Sequence, residues 1–551
     1  MRKIILIGLV LIFTSFFFFS VFKNIQYPLM WGDEAETALY ARRILKFGYP
    51  KVHDGKNTYD QHMVPGDVAV IKKYDLYSIE MWGQYYFGAI GEYFAQQTTD
   101  FYSKTAILRS SFAIMGILGI FILPILFFLI FKNSQKKLLA LLLYIIIQLF
   151  SISLILHIRE VRSYSLSVFL SSLSILFFYI YNLKRKINSL WYFLLLLLTL
   201  FLLGNTFPPA YLGMTVSFVT YILLKNFNSD LSEFVKNILK KETLIALSPI
   251  VLSVFLYLPI IIFFETSKAA QAAFLSMNYN LSVYKSYLLR IIVFLAKYHL
   301  LYIAIYLKII RYFQSKGNKK QVQENQLKEY DKLSFLLTLI LIVNLFTIPM
   351  TPFLFERYFV FLQPLLSMIV VVDLFGVYEF IKGNNQSDQG NNVLAIHFYI
   401  IFLLFILTQI TNFDNLKGHI YELTHKYEGP MDKVIFYIKD KYPHPENISI
   451  FTPIEQTELI YYLNSKVLCD DSINCYKDPP DIFIPRNYLS SKDLWKRYDN
   501  YIKEARYSKI TLDIRDYPVN NIPEFSLTLR HLYKTPFESD PNYQLYLYVK
   551  E

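Results

Sequence analysis

The sequence predicts a polytopic α-helical membrane protein that ends in a soluble α/β domain. Of its 551 residues, 54% are hydrophobic and only 18% are charged. The charges cluster between long apolar runs, a pattern typical of helical membrane proteins, so a soluble globular protein is excluded. The loops between helices account for the net charge of +12, and no nucleic-acid partner is needed to explain it.

About eleven segments are apolar over roughly the 20 residues that a helix needs to cross a bilayer. They are residues 4–22, 106–131, 138–156, 166–181, 190–207, 210–224, 244–264, 287–310, 333–349, 358–380 and 393–410. We expect the first segment to be a retained span rather than a cleaved signal peptide, because no small-residue cleavage site precedes Lys23.

The distribution of lysine and arginine predicts the orientation, because cationic loops stay on the cytoplasmic side. If the N-terminus is inside, the inner loops carry clusters such as 184–186 and 316–332, whereas the short outer loops carry few cations. We therefore expect a multi-pass protein of the inner (cytoplasmic) membrane, with a cytoplasmic N-terminus and an extracytoplasmic C-terminal domain.

Two regions outside the bilayer are large. The transmembrane domain, residues 1–411, contains a long first outer loop at 23–104, in which we expect interfacial helices. The tail, 412–551, alternates helical patterns at 429–442, 454–464 and 491–506 with strand-like runs at 448–452, 482–485, 510–514 and 545–549. Its cysteines, Cys469 and Cys475, can form a disulfide in an oxidising exterior or remain two free thiols.

The first candidate site is the acid pair Asp33 and Glu34, which follows the first span where the membrane gives way to water. A carboxylate at that depth can act as a base on substrates that project from lipid. Residues 33–45 have helical spacing. In an alternative interpretation, Asp33 is the N-cap and Glu36 completes a capping box. The two interpretations are compatible, because the helix dipole keeps a carboxylate at this end ionised.

A second cluster lies between the third and fourth spans and contains Arg159, Glu160, Arg162 and Tyr164. Such groups at the end of an apolar hairpin are costly unless they face a water-filled cavity or each other. Mutual salt bridges are one explanation. The functional explanation is a phosphate-binding site formed by the arginines, with Glu160 as a second acidic group.

Arg357 forms a third candidate site, just before the tenth span. A cation on the outer side does not follow the topology rule, but it is well placed to bind an anion. An interfacial anchor formed by Arg357 and Tyr358 is the alternative.

The order of these motifs resembles the GT-C superfamily of membrane glycosyltransferases, in particular the branch of protein O-mannosyltransferases and the lipid A aminoarabinose transferase. The matching residues are 32–35, 38–42, 47–50, 84–87, 108–111, 159–166 and 356–359. The resemblance implies a GT-C-like fold and a hexosyl or pentosyl transferase. Such an enzyme would move a sugar from a polyprenyl-phosphate donor to a glycolipid, glycan or protein acceptor at the outer face of the membrane.

The resemblance also implies roles for individual residues. Asp33 would contact the acceptor or act as base, Glu34 would support it, and Glu160 would be the second acid. The chemistry of the transfer adds a separate expectation, because the departing phosphate needs positive charge: residues 159, 162, 164 and 357 would bind the donor phosphate. The lysine followed by prolines in the first loop of the aminoarabinose branch has no counterpart here, since Lys72 and Lys73 precede no proline.

A divalent cation is an open question. His53, Asp54, Asp60 and His62 of the first loop offer metal-ligand chemistry, but their spacing matches no zinc signature, and the polarity of a loop explains them equally well.

Three other functions compete with glycosyl transfer. A polymerase or ligase of lipid-linked surface glycans would share the same acids and arginines. A transporter or flippase of lipid-linked sugars commonly shows internal repeats, and the sequence has no matching halves. A structural scaffold would leave the outer arginines without a task.

Overall fold

The computed structural model consists of a helical bundle with a small mixed sheet at one end. It describes residues 2–58, 70–71, 73–184, 189–227, 231–276, 278–317, 329–352, 354–384, 388–411, 413, 417, 424–426, 428–453, 455–468, 479–486, 502–503, 505–516 and 544–551. Cys469, Cys475 and most of the helical pattern predicted at 491–506 lie outside these residues.

Helices make up most of the described chain. In the first half they are α1 (Arg2–Phe22), α2 (Gly32–Phe47), α3 (Gly83–Ala95), α4 (Phe101–Ile122), α5 (Ile125–Ile130), α6 (Ser134–Leu149), α7 (Ile152–Ile158), α8 (Ser163–Phe178), α9 (Leu190–Gly204), α10 (Pro208–Lys225) and α11 (Leu231–Ile238). In the second half they are α12 (Lys241–Phe263), α13 (Thr266–Ser276), α14 (Leu281–Tyr298), α15 (Leu301–Gly317), α16 (Glu329–Thr347), α17 (Leu362–Asn384), α18 (Asp388–Thr411), α19 (Pro430–Lys441) and α20 (Gln456–Leu463).

Every predicted span coincides with one of these helices or with a pair of them. Within the described residues, six helical segments are long and apolar enough to cross a membrane, and up to eight if two bent pairs each count as one span. The bent pairs are α6 with α7, which meet at 79°, and α14 with α15, which meet at 86°. The multi-pass membrane architecture is therefore confirmed, whereas the predicted count of about eleven spans is not.

The bundle core depends on a close contact between α4 and α8. Gly119 of α4 faces the backbone of α8, where a Cβ atom would come within 2.6 Å of the Phe169 Cα. A side chain at position 119 would push the two helices apart. This contact fixes α8, and with it the turn at 159–162, beside α4.

Two polar regions lie together at the end of the bundle where α1 finishes, which we call the loop-one side. The first contains α2, α3 and the short strands β1 (Val70–Ile71) and β2 (Leu76–Tyr77). The second is a five-stranded sheet formed by β3 (Ser449–Phe451), β4 (Lys466–Leu468), β5 (Ile482–Phe483), β6 (Tyr507–Arg515) and β7 (Gln544–Lys550).

The sheet has the order β4-β3-β5-β7-β6. Strand β3 pairs in parallel with β4 and β5, while β7 is antiparallel to both β5 and β6. The predicted α/β character of the tail is confirmed, although β4 was not predicted. Helix α20 connects β3 to β4, as the crossover of a parallel pair requires.

One apolar cluster joins the two polar regions. It contains Met30, Ala35 and Leu39 from the first loop, Leu108 from α4, and Ile435 among other residues of the sheet domain. Because these side chains form one buried core, the sheet domain is fixed against the start of α2. This packing places the C-terminal domain beside the start of α2, next to the predicted acid pair.

Candidate active site

Helix α2 begins directly after the extended residue Trp31 and places Asp33 and Glu34 in its first turn. Trp31 is the N-cap, and no side chain makes a capping hydrogen bond. The interpretation of Asp33 and Glu36 as a capping box is therefore wrong. Consecutive helical residues are rotated by about 100° around the axis, so the two acids face different surroundings.

Both carboxylate oxygens of Glu34 are engaged. Arg109 donates from Nε to Oε1 at 2.9 Å and from Nη2 to Oε2 at 2.6 Å, and the Val161 N–H donates to Oε1 at 3.0 Å. The Nη1 group of Arg109 donates to the carbonyl oxygens of Ile25 and Pro28. Glu34 thus ties α2 to α4 and to the turn before α8. This placement favours a positioning role over the catalytic one predicted from the sequence.

Asp33 keeps a more open carboxylate. Its Oδ2 atom accepts a hydrogen bond from Arg357 Nη2 at 2.9 Å and lies 3.8 Å from Arg162 Nη2. The Asp33 side chain is 26% exposed, against 6% for Arg357 and 7% for Arg162. A carboxylate that solvent reaches is therefore backed by two nearly buried guanidinium groups. The structure brings these three predicted residues together.

Arg162 is surrounded by acids. Its Nη2 atom donates to Glu80 Oε1 at 2.7 Å, and its Nη1 atom lies 3.7 Å from Glu36 Oε1. Burial opposes the guanidinium charge, but Glu80 and Asp33 outweigh it, so the pKa of Arg162 is raised well above its ordinary value. Arg162 forms ion pairs with Glu80 and Asp33, which belong to loop one. The alternative in which the charged residues of the second cluster form salt bridges only with one another is therefore wrong.

Two acids at the site were missed by the sequence analysis. Glu80 is 26% exposed, accepts a hydrogen bond from Tyr85 Oη at 2.9 Å and also contacts Gln84. Glu36 is buried, and its Oε1 atom lies 3.0 Å from the same Tyr85 hydroxyl oxygen. Glu36 belongs to the acid motif and could have been included. Glu80 lies in an irregular segment without periodicity, so only its contact with Arg162 reveals it.

Arg357 lies in a buried aromatic pocket. Its guanidinium carbon is 4.4 Å from the ring centre of Phe355, 5.1 Å from that of Trp31 and 5.8 Å from that of Tyr164. Aromatic faces attract cations, so the rings hold the guanidinium group next to Asp33. A buried, ion-paired arginine does not fit the interfacial anchor considered as an alternative. Tyr164 forms one wall of the pocket.

Glu160 lies in the turn between α7 and α8 and is almost fully buried. Its Oε1 atom is 3.1 Å from Nδ1 of His157, and its Oε2 atom has no hydrogen-bond partner within the described part of the chain. Burial raises the pKa of the Glu160 carboxyl well above its ordinary value, although Arg357 acts in the opposite direction. Burial thus favours the neutral form of this carboxyl group, which is the form that can donate a hydrogen bond.

Arg159 follows a different course from the other predicted phosphate ligands. Its Nη2 atom lies 3.4 Å from the carbonyl oxygen of Lys23, just beyond α1. The acceptor of this hydrogen bond is next to α1, whereas Arg162 and Arg357 donate to the acids Glu80 and Asp33 of loop one. Arg159 therefore lies at the border of the candidate site.

The described residues contain no group of three or more His, Cys, Asp or Glu side chains placed to hold a metal ion. Asp54 instead orders its own loop, since it accepts hydrogen bonds from the Asn57 N–H and from Arg43 Nη2. Asp60 and His62 lie outside the described residues.

No family model matches the chain, and no curated protein matches it. Similar solved structures exist. One is the archaeal oligosaccharyltransferase AglB from Archaeoglobus fulgidus in complex with an inhibitory peptide and a dolichol-phosphate, with 10% identity, a TM-score of 0.49, and coverage of 84% of this chain and 64% of that one. This chain thus spans less than two thirds of the AglB chain.

The others are two structures of ArnT from Cupriavidus metallidurans. The apo state has 11% identity and a TM-score of 0.47 and covers 98% of each chain, and the state bound to undecaprenyl phosphate has 11% identity and a TM-score of 0.48 and covers 84% of this chain and 86% of that one. At these values the likeness concerns the course of the backbone and carries no information about the site residues.

Proposed function

We propose that this protein is a glycosyltransferase of the cytoplasmic membrane. It moves a sugar from a polyprenyl-phosphate donor to a glycolipid, glycan or protein acceptor at the outer face. The observation that carries the proposal is the contact between Asp33 and Arg357, because it joins a partly exposed carboxylate to a nearly buried cation on the loop-one side. This pair supplies the two chemical functions that the reaction needs.

The reaction replaces one bond at the anomeric carbon by another. The acceptor hydroxyl loses its proton and forms the new C–O bond, while the bond to the phosphate oxygen breaks and the lipid phosphate leaves with the electron pair. Asp33 takes the proton as general base. Arg357, with Arg162 behind it, stabilises the negative charge that develops on the phosphate.

Donor binding would also activate the base. Without substrate, the Arg357 guanidinium is occupied by Asp33. The donor phosphate is a diester with one negative charge, as the carboxylate has, and it gains a second charge as the sugar leaves, so it competes for the same guanidinium group. When the phosphate takes Arg357, the Asp33 carboxylate loses its strongest partner and becomes available to the acceptor hydroxyl.

Three other residues would assist. Glu34, held by Arg109, fixes the start of α2. Glu160 carries a buried carboxyl whose Oε2 atom can donate a hydrogen bond to a substrate oxygen. Tyr164 shapes the pocket around Arg357.

The distribution of cations between the two ends of the bundle supports an outer location for the site. Lys136 and Lys184 lie at the opposite end of the bundle from loop one, in ion pairs with Glu379 and Glu329. Cationic loops mark the cytoplasmic side, so the loop-one side faces outward. A lipid-linked sugar presented in the outer leaflet would then reach Asp33.

The test is sugar transfer by purified, reconstituted protein from a radiolabelled polyprenyl-phosphate sugar to a panel of lipid A, glycan and peptide acceptors. We expect Asp33→Asn to lower the rate by about 100-fold or more, the usual contribution of a general base. The matched control is Asp440→Asn, an exposed position on α19. Full activity in Asp33→Asn, or no transfer by the wild type to any acceptor, would overturn the proposal.

A further inference from the structure

The chain that enters α2 is held by the C-terminal domain. Residues 29–32 precede Asp33, and three of their backbone groups bind side chains of that domain. The Leu29 N–H donates to Asp432 Oδ2 at 3.1 Å, and the Met30 N–H donates to Tyr462 Oη at 3.0 Å. The Gly32 carbonyl oxygen accepts from Thr457 Oγ1 at 3.0 Å.

Each of these three side chains is itself fixed from behind. Asp432 accepts a second hydrogen bond from the Tyr102 hydroxyl of α4, at 3.0 Å. Tyr462 Oη lies 2.6 Å from Thr105 Oγ1, also on α4. A partner that is anchored on the membrane helix has little freedom to move. The segment before Asp33 is thus held between α4 and the C-terminal domain.

The third contact has a chemical preference for one direction. Thr457 Oγ1 lies 3.0 Å from Glu458 Oε2. Burial, with a contribution from the nearby Glu455, raises the pKa of Glu458 to about 8, so its carboxyl holds a proton at neutral pH. Glu458 can then donate to the threonine hydroxyl, whose own proton is directed to the Gly32 carbonyl oxygen.

The domain is also attached to loop one away from this segment. Arg42 of α2 donates to Glu92 Oε1 and to the Tyr461 carbonyl oxygen, both at 2.8 Å, and the Tyr461 hydroxyl donates to Glu92 Oε2 at 2.6 Å. Asn57 adds a pair of hydrogen bonds to the backbone of 465–467. Loss of a single contact at 29–32 therefore leaves the domain docked.

We propose that the C-terminal domain positions the catalytic carboxylate, and that Asp432, Thr457 and Tyr462 are positioning residues that set the place of Asp33 through the backbone of 29–32. The proposal rests on the proposed function for its kinetic readout. Their hydrogen bonds go to the backbone of 29–32, so their effect on Asp33 passes through the main chain. An error of about 1 Å in the position of a reacting group can cost on the order of 100-fold in rate.

The test compares Thr457→Val, which removes the hydroxyl at nearly constant volume, with Thr457→Ser, which keeps it. The control is Thr452→Val in the same domain, because the buried Thr452 Oγ1 has no hydrogen-bond partner among the described residues. We expect kcat to fall about 10-fold to 100-fold in Thr457→Val. The KM for the donor and the KM for the acceptor should both stay within about twofold of the wild-type values. Thr457→Ser and Thr452→Val should match the wild type.

Hydrogen–deuterium exchange gives a second readout that does not require activity. In full-length protein, peptides covering 24–36 should exchange faster in Thr457→Val and in Tyr462→Phe than in the wild type. The control for the tyrosine is Tyr507→Phe, whose hydroxyl binds the Pro480 carbonyl oxygen within the domain. In Tyr507→Phe, the exchange rate of peptides covering 24–36 should equal that of the wild type.

The possible results are distinct. Unchanged exchange at 24–36 in both Thr457→Val and Tyr462→Phe overturns the positioning role, even if the wild type shows no transfer. Faster exchange with an unaltered kcat also overturns it, because the held segment would then not control the reaction. If the wild type transfers no sugar but the variants exchange faster, the proposed function is contradicted, whereas the hold of the C-terminal domain on 29–32 is supported.

Discussion

Asp33 and Arg357 are 324 residues apart in the sequence, yet Asp33 Oδ2 and Arg357 Nη2 lie 2.9 Å apart. Asp33 opens the first helix of loop one, and Arg357 lies just before α17. Their contact joins the base of the proposed reaction to the cation for its leaving group. Each residue therefore has an expected kinetic effect of its own.

Arg357 should control donor binding. Arg357→Ala removes the least exposed cation beside Asp33, so we expect the KM for a polyprenyl-phosphate sugar to rise on the order of 10-fold to 100-fold, the value of a charge-assisted hydrogen bond. Arg357→Lys should recover only part of the loss, because an ammonium group cannot reproduce the planar guanidinium contacts. Steady-state kinetics with varied donor measure both. An unchanged donor KM in Arg357→Ala, next to the exposed control Lys268→Ala, would contradict this role.

Glu34 should be needed for stability. Its partner Arg109 is buried with it, and loss of one member of a buried ion pair typically costs about 3–5 kcal/mol. We expect Glu34→Gln to lower the thermal unfolding temperature of the detergent-solubilised protein clearly. Glu265→Gln is the control, because its pair with Lys268 is exposed and such pairs contribute about 0–1 kcal/mol. A Glu34→Gln protein that melts like the wild type but transfers no sugar would show that Glu34 acts in the chemistry.

Asp432 should make stability depend on pH. Burial raises its pKa to about 7, although the Leu29 N–H and the Tyr102 hydroxyl oppose the shift. The folded state therefore holds a proton that the unfolded state releases near pH 4, and stability from this group is lost as pH rises toward 7.

Between pH 5 and pH 8 this group should cost the wild type on the order of 2 kcal/mol. Unfolding measured at both values should show a smaller pH difference in Asp432→Asn than in the wild type. Asp440→Asn, at an exposed position of the same helix, should keep the full difference. An equal difference in all three proteins would refute the assignment.

The orientation can be tested with a membrane-impermeant thiol reagent. In a Cys469→Ser, Cys475→Ser background, we expect Glu446→Cys in the C-terminal domain to be labelled in intact spheroplasts. Lys136→Cys, at the opposite end of the bundle, should be labelled only after lysis. Both side chains are partly exposed, at 43% and 37%. The reverse pattern would place the site on the cytoplasmic face.

Several elements could be read from local pattern. The helix predicted at 33–45 is observed as Gly32–Phe47. All four strands predicted in the tail are observed, as β3, β5, β6 and β7, with bounds that differ slightly from the predicted ones. Apolar length and periodicity are properties of neighbouring residues, so one sequence carries them. Strand β4, which pairs in parallel with β3, was missed.

The different roles of Asp33 and Glu34 could not be predicted from local pattern. Asp33 and Glu34 are adjacent and chemically alike, but their partners, Arg357 and Arg109, lie 324 and 75 residues away. Only the packing of α4 and of the segment before α17 decides which acid is saturated and which stays open. Glu80 was missed for the same reason, since its partner Arg162 comes from another loop.

Local patterns along the chain predict the class of the protein, the approximate course of its helices and the motifs that resemble GT-C enzymes, because hydrophobic length and charge asymmetry are properties of neighbouring residues. Only the folded chain brings Arg162 and Arg357 to Asp33, pairs Glu34 with Arg109 and holds 29–32 against the C-terminal domain. These are contacts between distant segments. They exist only once the bundle core has brought its helix ends to one side.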